Sequence, residues 1–400
     1  MQHLLGPKVT IERSFFRIPR FSARIVGFWP ESSNQPRSWL TVLRFCFNTF
    51  AVAFGGCNEI LYGFVHLDDL FSALEAFCPG VTKVICLLKM ITFFMRHKQW
   101  QRLVNRLKAL LLEDKSVQKR RIMEPLASFG SMFSFILLAS GSLTNTFFNI
   151  FPLVKMGFYL WESRDVELLL PFNVVLPNIF VNFPYYPATY LLLSLSGAMT
   201  VFTFSAVDGL FACACLYICA LFRMLQHDIR ATFAELHEQE HSTYAQNKRI
   251  QQSLAKLIER HNAIIDLCSD FTSEFSLIIL MHFLSAALVL CFSILDMLLN
   301  SASIGILIYI FYSIAALTQL FLYCIGGTYV SESSLDIATV IYDIDWYKCD
   351  VRTLGMLLMI LFRAQKPKTI EAPFFTPSLT AFRSIISTAG SYIALLKTFI

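Results

Sequence analysis

Seven stretches of this chain, residues 38–62, 69–95, 122–152, 187–222, 263–299, 303–330 and 374–399, are continuously apolar over lengths a bilayer demands. A helix that crosses the hydrocarbon core needs about 20 such residues. Within lipid, only helices and closed barrels satisfy every backbone group internally. Stretches this long are helices, so the expected class is all-α with seven transmembrane helices. Composition agrees: 56% of the 400 residues are hydrophobic and 15% charged, against about 25% charged in average soluble domains. The second stretch is the least hydrophobic, because Glu75, Lys83 and Lys89 interrupt it. Several stretches exceed the bilayer thickness and are expected to tilt or continue into water. The polar run 223–262 keeps helical character, so the fourth and fifth helices should project well beyond the membrane.

Orientation follows from where Lys and Arg collect. Segments 1–37, 96–121, 223–262 and 331–372 together hold 26 of them, whereas the alternate segments 63–68, 153–186, 300–302 and the end after 390 hold three. The N-terminus is therefore expected in the cytoplasm and the C-terminus outside. That is the inverse of a G-protein-coupled receptor, and it leaves no C-terminal tail for coupling.

The same residues exclude other classes. The net charge of +5 has no basic-aromatic module behind it, so nucleic acid is not an expected partner. Zinc-protease, phosphate-loop and nucleophile-elbow motifs are lacking, and the chain does not read as an enzyme. Eleven cysteines form no framework; Cys213, Cys215 and Cys219 crowd one apolar segment and read as packing. His237 and His241 stand four apart, but on a charged run that reads as a solvated helix face. Neither a metal nor a cofactor is expected. The first 35 residues are basic and broken by prolines, unlike a cleavable signal peptide, and the chain has no Asn-x-Ser/Thr acceptor.

The last stretch carries hydroxyls. Thr376, Thr380, Ser384, Ser387, Ser391 and Thr398 recur at helical spacing and fall on one face. Close helix packing favours such residues, and so does a water-filled path; both readings stand. Arg383 beside the stripe favours water or a partner. Leu395 and Phe399, a turn apart near the outer end, would form an apolar constriction of the kind that gates pores.

Asp208 and Glu274 should pair internally or meet an aqueous cleft. Lys89, near the basic end, is expected to snorkel. The outer halves of the helices also supply aromatic and small polar residues suited to a pocket for a small apolar molecule. These are Phe71, Leu74, Gly141, Thr144, Phe148, Tyr190, Ser194, Tyr309, Ile310 and Ser313. Core packing is the alternative role for each.

Ordered blocks near the end carry a resemblance. YCIGGTYVSESSLDIATVIYDIDWYKCD is followed by LLMILFRAQKPKTIEA and FFTPSLTAFRSIISTAGSYIALLK. Ser331 and Glu332, Tyr342-Asp343, Trp346-Tyr347, Gln365-Lys366-Pro367, Ser378-Leu379, Phe382 and Ser391-Tyr392 match, with His261-Asn262 upstream. The chain resembles the insect odorant receptors over about its last 80 residues in these blocks, and over its whole length in topology.

The resemblance implies an odorant-gated, non-selective cation channel passing monovalent and divalent cations, a tetramer whose pore is lined by the last helix. It implies a shared odorant co-receptor as partner, a small volatile ligand in the outer half among helices two, three, four and six, and surrounding membrane lipid. Tyr342, Asp343, Trp346 and Tyr347 would lie in a cytoplasmic anchor between subunits. Ser384, Ser387, Ser391, Leu395, Thr398 and Phe399 would line and gate the pore. The co-receptor's long insertion between helices four and five is missing, so the chain resembles a ligand-tuning subunit. The implied location is the plasma membrane, multi-pass, in olfactory sensory neuron dendrites.

The implied organisation is 1–37 as a cytoplasmic segment, 38–330 as six helices with the ligand pocket, 331–372 as the anchor and 373–400 as the pore helix. Lys397 departs from an apolar pattern and is expected to face headgroups or outer solvent. A gustatory-receptor-like channel and a membrane transporter are the alternatives. The imperfect Ser391-Tyr392 to Thr398-Phe399 ending weighs for the first. A lack of internal repeats weighs against the second.

Overall fold

The computed structural model describes residues 16–29, 38–113, 116–161, 168–234, 243–299 and 306–396. Among these every regular element is helical: α1 Arg17–Val26, α2 Trp39–Val65, α3 Leu70–Met95, α4 His97–Leu112, α5 Val117–Trp161, α6 Asn178–Val181, α7 Tyr186–Phe233, α8 Tyr244–Leu299, α9 Ile306–Asp343, α10 Val351–Ala364 and α11 Leu379–Leu396. Six of them (α2, α3, α5, α7, α8 and α9) are long and apolar enough to cross a membrane. At 1.5 Å per residue, α5, α7 and α8 run about 70–85 Å, far beyond a hydrocarbon core of about 30 Å. The polar run after 222 does continue α7 and begin α8, as its composition predicts; His237 and His241 lie outside the described residues.

α7 is the axis of the bundle. It packs against α1, α2, α3, α5, α8 and α9, and its apolar window is wholly buried, whereas most of the corresponding window of α5 is not. The reason is visible in its side chains. From Ser196 to Leu225 small residues (Ala, Ser, Gly and Cys) recur between the larger Phe202, Phe204, Phe211, Tyr217 and Phe222, so neighbours approach closely between the aromatic rings. Cys213, Cys215 and Cys219 are buried free thiols. Gly197 shows how close the approach is: an added Cβ would stand 2.2 Å from the Asn145 side-chain oxygen on α5.

α1 lies against α7 with Ala23 and Val26 buried. The Ser22 hydroxyl donates to that of Ser205 at 3.2 Å. The helix ends at Gly27, whose φ of 104° lies in the left-handed region that glycine adopts freely. The N-terminal segment is thus docked into the bundle in part.

α11 departs from its sequence boundary. The apolar run starts at 374, but the helix starts at Leu379, because Pro377 disfavours helical conformation before it. Ser378 then accepts from Ala381 N–H at 3.2 Å, an N-cap, while Leu379 N–H bonds the Thr328 hydroxyl on α9. Thr376 therefore precedes the helix and drops out of the stripe. The turn is admitted by Gly327 on α9, where a Cβ would meet the Pro377 carbonyl at 2.1 Å.

Candidate functional site

Among the described residues the two roomiest of the hollows along the bundle are one deep and one near the end of α5 that leads into the 168–185 segment. The deep cavity, with about 110 Å³ of free space, is lined by α3, α5, α7, α8, α9 and the loop residue Phe172. The second chamber, about 280 Å³, is lined by Phe71, Glu75, Phe151, Lys155, Asn173 and Tyr309 among others. Phe148 and Phe172 line both, their rings stacked at 5.1 Å and 26°. That pair is the partition between them.

The loop bearing Phe172 is tied in place. Tyr186 donates to the Leu169 carbonyl at 2.7 Å, and Asn173 donates to Glu75 at 3.0 Å. Phe172 is buried against the ammonium of Lys83, which sits 3.7 Å from its ring centre, a cation–π contact of the strong, desolvated kind.

Beneath the cavity two ion pairs cross the bundle. Lys83 pairs with Glu59 of α2, and Lys89 with Asp208 of α7 at 2.5 Å. All four are buried. Tyr323 of α9 donates to the same Asp208 oxygen at 2.7 Å, and the ring of His282 from α8 stacks on Tyr323 at 4.6 Å. Burying a lone charge costs several kcal/mol, whereas a paired and hydrogen-bonded one is tolerated. The expectation that Lys89 snorkels is therefore corrected: its partner Asp208 lies within reach, so the ammonium turns inward. Glu274, mostly buried, meets the half-exposed Arg96 at 3.3 Å.

Of the ten pocket candidates, Gly141, Thr144 and Phe148 line the deep cavity, and Phe71, Phe148 and Tyr309 the outer chamber. The other five line neither. Leu74 is buried, Tyr190 donates to the Asn149 carbonyl at 2.5 Å, Ser313 meets Ser293 at 2.8 Å, Ile310 is exposed and Ser194 is half-buried. Sequence reasoning missed the contribution of α8 altogether, namely His282, Ser285, Ala286 and Val289. A histidine inside an otherwise apolar run, LIILMHFLSAALVL, was the available signal.

On α11, Thr380, Ser384, Ser387 and Ser391 are exposed, as is Arg383, while Phe382 and Ile385 pack on the core. The side chain of Leu395 and all of Lys397, Thr398 and Phe399 lie outside the described residues. At the basic end Tyr342 and Tyr347 are exposed, Trp346 much less so, and Asp343 stands 3.8 Å from Arg230. Among the described residues no group of His, Cys, Asp and Glu is placed to hold a metal ion.

Residues 69–390 match the family model described as 7tm Odorant receptor. Odorant receptor 22c of Drosophila melanogaster is 52% identical over 96% of this chain and 97% of its own length. Odorant receptor 10a of the same fly is 33% identical over 96% of each. Among solved structures, the insect olfactory receptor OR5 from Machilis hrabei in complex with eugenol superposes with a TM-score of 0.79 at 17% identity, over 97% of this chain and 98% of that one.

Proposed function

The chain belongs to the 7tm odorant receptor family, a multi-pass membrane receptor and not an enzyme, and we propose from that premise that it is the ligand-tuning subunit of an odorant-gated cation channel. The observation that carries this reading is the deep cavity. It is lined by five helices, mostly apolar, and roofed by an aromatic pair, the character of a site for a small apolar molecule. A structure of the same fold in complex with eugenol supports a ligand of that kind.

Gly141, Thr144 and Phe148 are assigned to ligand contact, with Phe71 and Tyr309 at the outer chamber through which it passes. The ligand acts by binding one state more tightly than the other. α8 and α9 line the cavity and also carry α11 on their flank, so a change of their packing moves α11. α11 keeps its hydroxyl face off the bundle, which supports a pore shared with partner subunits, gated near Leu395 and Phe399 with Thr398 beside the path. Exposed Tyr342, Trp346 and Tyr347 with Asp343 suit an anchor against those partners, since aromatics dominate interface cores. The partners are copies of the shared co-receptor, the N-terminus is cytoplasmic, and the site of action is the sensory-neuron plasma membrane.

Whole-cell current under an odorant panel tests this, with the chain expressed alone and with an insect co-receptor. Rapid cation current only on co-expression is expected. Current from the chain alone would replace the tuning subunit by a self-sufficient channel, and no current despite surface expression would overturn the channel reading.

A further inference from the structure

The fully buried polar groups that line the deep cavity are nearly all occupied by their own chain. Thr144 donates to the Ser140 carbonyl at 3.0 Å, Thr200 to that of Ser196 at 2.9 Å and Ser285 to that of His282 at 2.9 Å. Lys83 is engaged by Glu59 and by the face of Phe172. One buried atom is left: Nε2 of His282 has no hydrogen-bond partner although the residue is 2% exposed. A buried polar atom left unsatisfied is costly, and native proteins seldom leave one without a reason.

The chemistry of that atom follows from its neighbours. Nδ1 of the same ring lies 3.5 Å from the Lys89 ammonium. An ammonium only donates, so Nδ1 accepts and the ring hydrogen sits on Nε2. The ring cannot turn to hide it. Tyr323 stacks on one face at 4.6 Å, Phe204 stands at 6.2 Å, and both Tyr323 and Lys89 are pinned by Asp208. His282 thus brings a fixed N–H donor to the residues that line the cavity, where the amides of Asn145 and Gln319 are only partly buried.

We infer that His282 is the specificity-determining residue of this cavity, donating through Nε2–H to an acceptor oxygen on the ligand. This rests on the cavity being the odorant site. It narrows the ligand class to small neutral molecules with a carbonyl acceptor, such as ketones, esters and aldehydes, over hydrocarbons of the same shape and over ammonium compounds, which bring only donors. Discrimination arises because the hydrocarbon leaves the donor unpaired.

The test uses shape-matched probes that exchange C=O for C=CH2: acetophenone against α-methylstyrene, and 2-heptanone against 2-methyl-1-heptene. Binding is read as thermal stabilisation of the purified full chain, alone and with co-receptor, and potency as current in co-expressing cells. In the native protein the ketones should bind about ten-fold more tightly than the alkenes. His282→Phe and His282→Met should bring that ratio close to one while alkene binding is kept or improved. His282→Gln, which retains an N–H donor, should restore part of it. A ratio near one in the native protein, or one unchanged in both donor-less variants, overturns the inference and leaves Nε2–H to a resident water. Stabilisation by neither probe overturns it together with the cavity as the ligand site. Stabilisation with His282-dependent preference but no current upholds it and removes only the channel reading.

Discussion

Two groups of polar side chains sit within the apolar helices of this receptor, and they are handled in opposite ways. Lys83 with Glu59, and Lys89 with Asp208, Tyr323 and His282, are buried and bound in two clusters between α2, α3, α7, α8 and α9. Thr380, Ser384, Ser387 and Ser391 of α11 are exposed, on a helix that touches only α8 and α9 appreciably. The first group has its counter-charges inside the chain, so it belongs to the folding of one subunit. Among the described residues the second meets only groups of α11 and its cap, Thr380 with Ser378 and Ser391 with the Ser387 carbonyl, and becomes meaningful against water or another subunit. Polarity in a membrane helix thus has two uses, and the location of the partner tells them apart.

The largest effect should come from breaking the inner group. Asp208→Ala leaves Lys89 buried without its counter-charge and removes the acceptor of Tyr323. Removing one partner of a buried pair costs about 3–5 kcal/mol, a large share of a typical folding free energy. The melting temperature of the detergent-solubilised chain should fall steeply, with loss of surface expression. Combining it with Lys89→Met and Tyr323→Phe removes the stranded charge and hydroxyl together, and should recover much of the stability. A mild Asp208→Ala phenotype, or no recovery in the triple variant, would mean that water reaches this group and that it is not a sealed network.

The seat of α11 should matter less. Phe382 packs edge-on against Phe321 of α9 at 5.5 Å and is half-buried. Full burial makes Phe→Ala worth about 3–5 kcal/mol, so about 2 kcal/mol is expected here. Limited proteolysis near Ser378 should become faster while the inner bundle still melts as a unit. Equal destabilisation of the inner bundle would erase the distinction between the two regions.

A polar group at the water surface gives a third reference point. Asp350 caps α10, accepting from Thr353 N–H at 3.1 Å and from Gln251 of α8. The hydrogen bond with the Thr353 hydroxyl, the largest influence, and those from the Thr353 N–H and Gln251 hold its carboxyl below the ordinary value of 3.8. Asp350→Ala should cost about 1 kcal/mol. A group whose folded value is depressed stabilises fully above its unfolded value. The contribution fades as pH falls through the folded one. The melting gap between native protein and variant should therefore be constant above pH about 5 and close only below about 3.8. A gap that closes nearer neutrality would assign the pH dependence to another group.

How legible each region was follows the same division. Helix class and six of the seven expected spans could be read from apolar runs, because lipid leaves the backbone no alternative; the seventh, α11, is described over 18 residues only. The helical overhangs after 222 were readable as well, from polar residues without breakers. The inner pairing was half legible: Asp208 and Lys89 stand out as charges in apolar runs, yet their meeting depends on helix rotation, which the length of a run does not encode. Lys89 was thus misread as a snorkelling side chain. The pocket failed in a similar way. Gly141, Thr144 and Phe148 share one face of α5 and reach the cavity together, whereas Tyr190 and Ser313 are drawn into hydrogen bonds elsewhere. His282 went unweighed because one histidine in a run of aliphatics looks like packing until its neighbours are known. Pro377 did announce the true start of α11, and the apolar residues before it obscured the signal.

The smallest effect on folding is expected from the outer group itself. Ser387 is exposed on α11, and its carbonyl, not its hydroxyl, accepts from Ser391 at 3.0 Å. Ser387→Leu therefore breaks no bond among the described residues, and its stability change should stay within about 0.5 kcal/mol, with normal surface expression. If the face lines a shared water-filled path, a bulky apolar side chain there narrows and dries it, and odorant-evoked cation current should fall several-fold with the odorant concentration dependence preserved. Current that survives intact would place this face against lipid. Loss of co-assembly would place it against a neighbouring helix, where small residues allow close approach. Each result assigns the outer hydroxyls a partner, and only the first makes that partner an ion path.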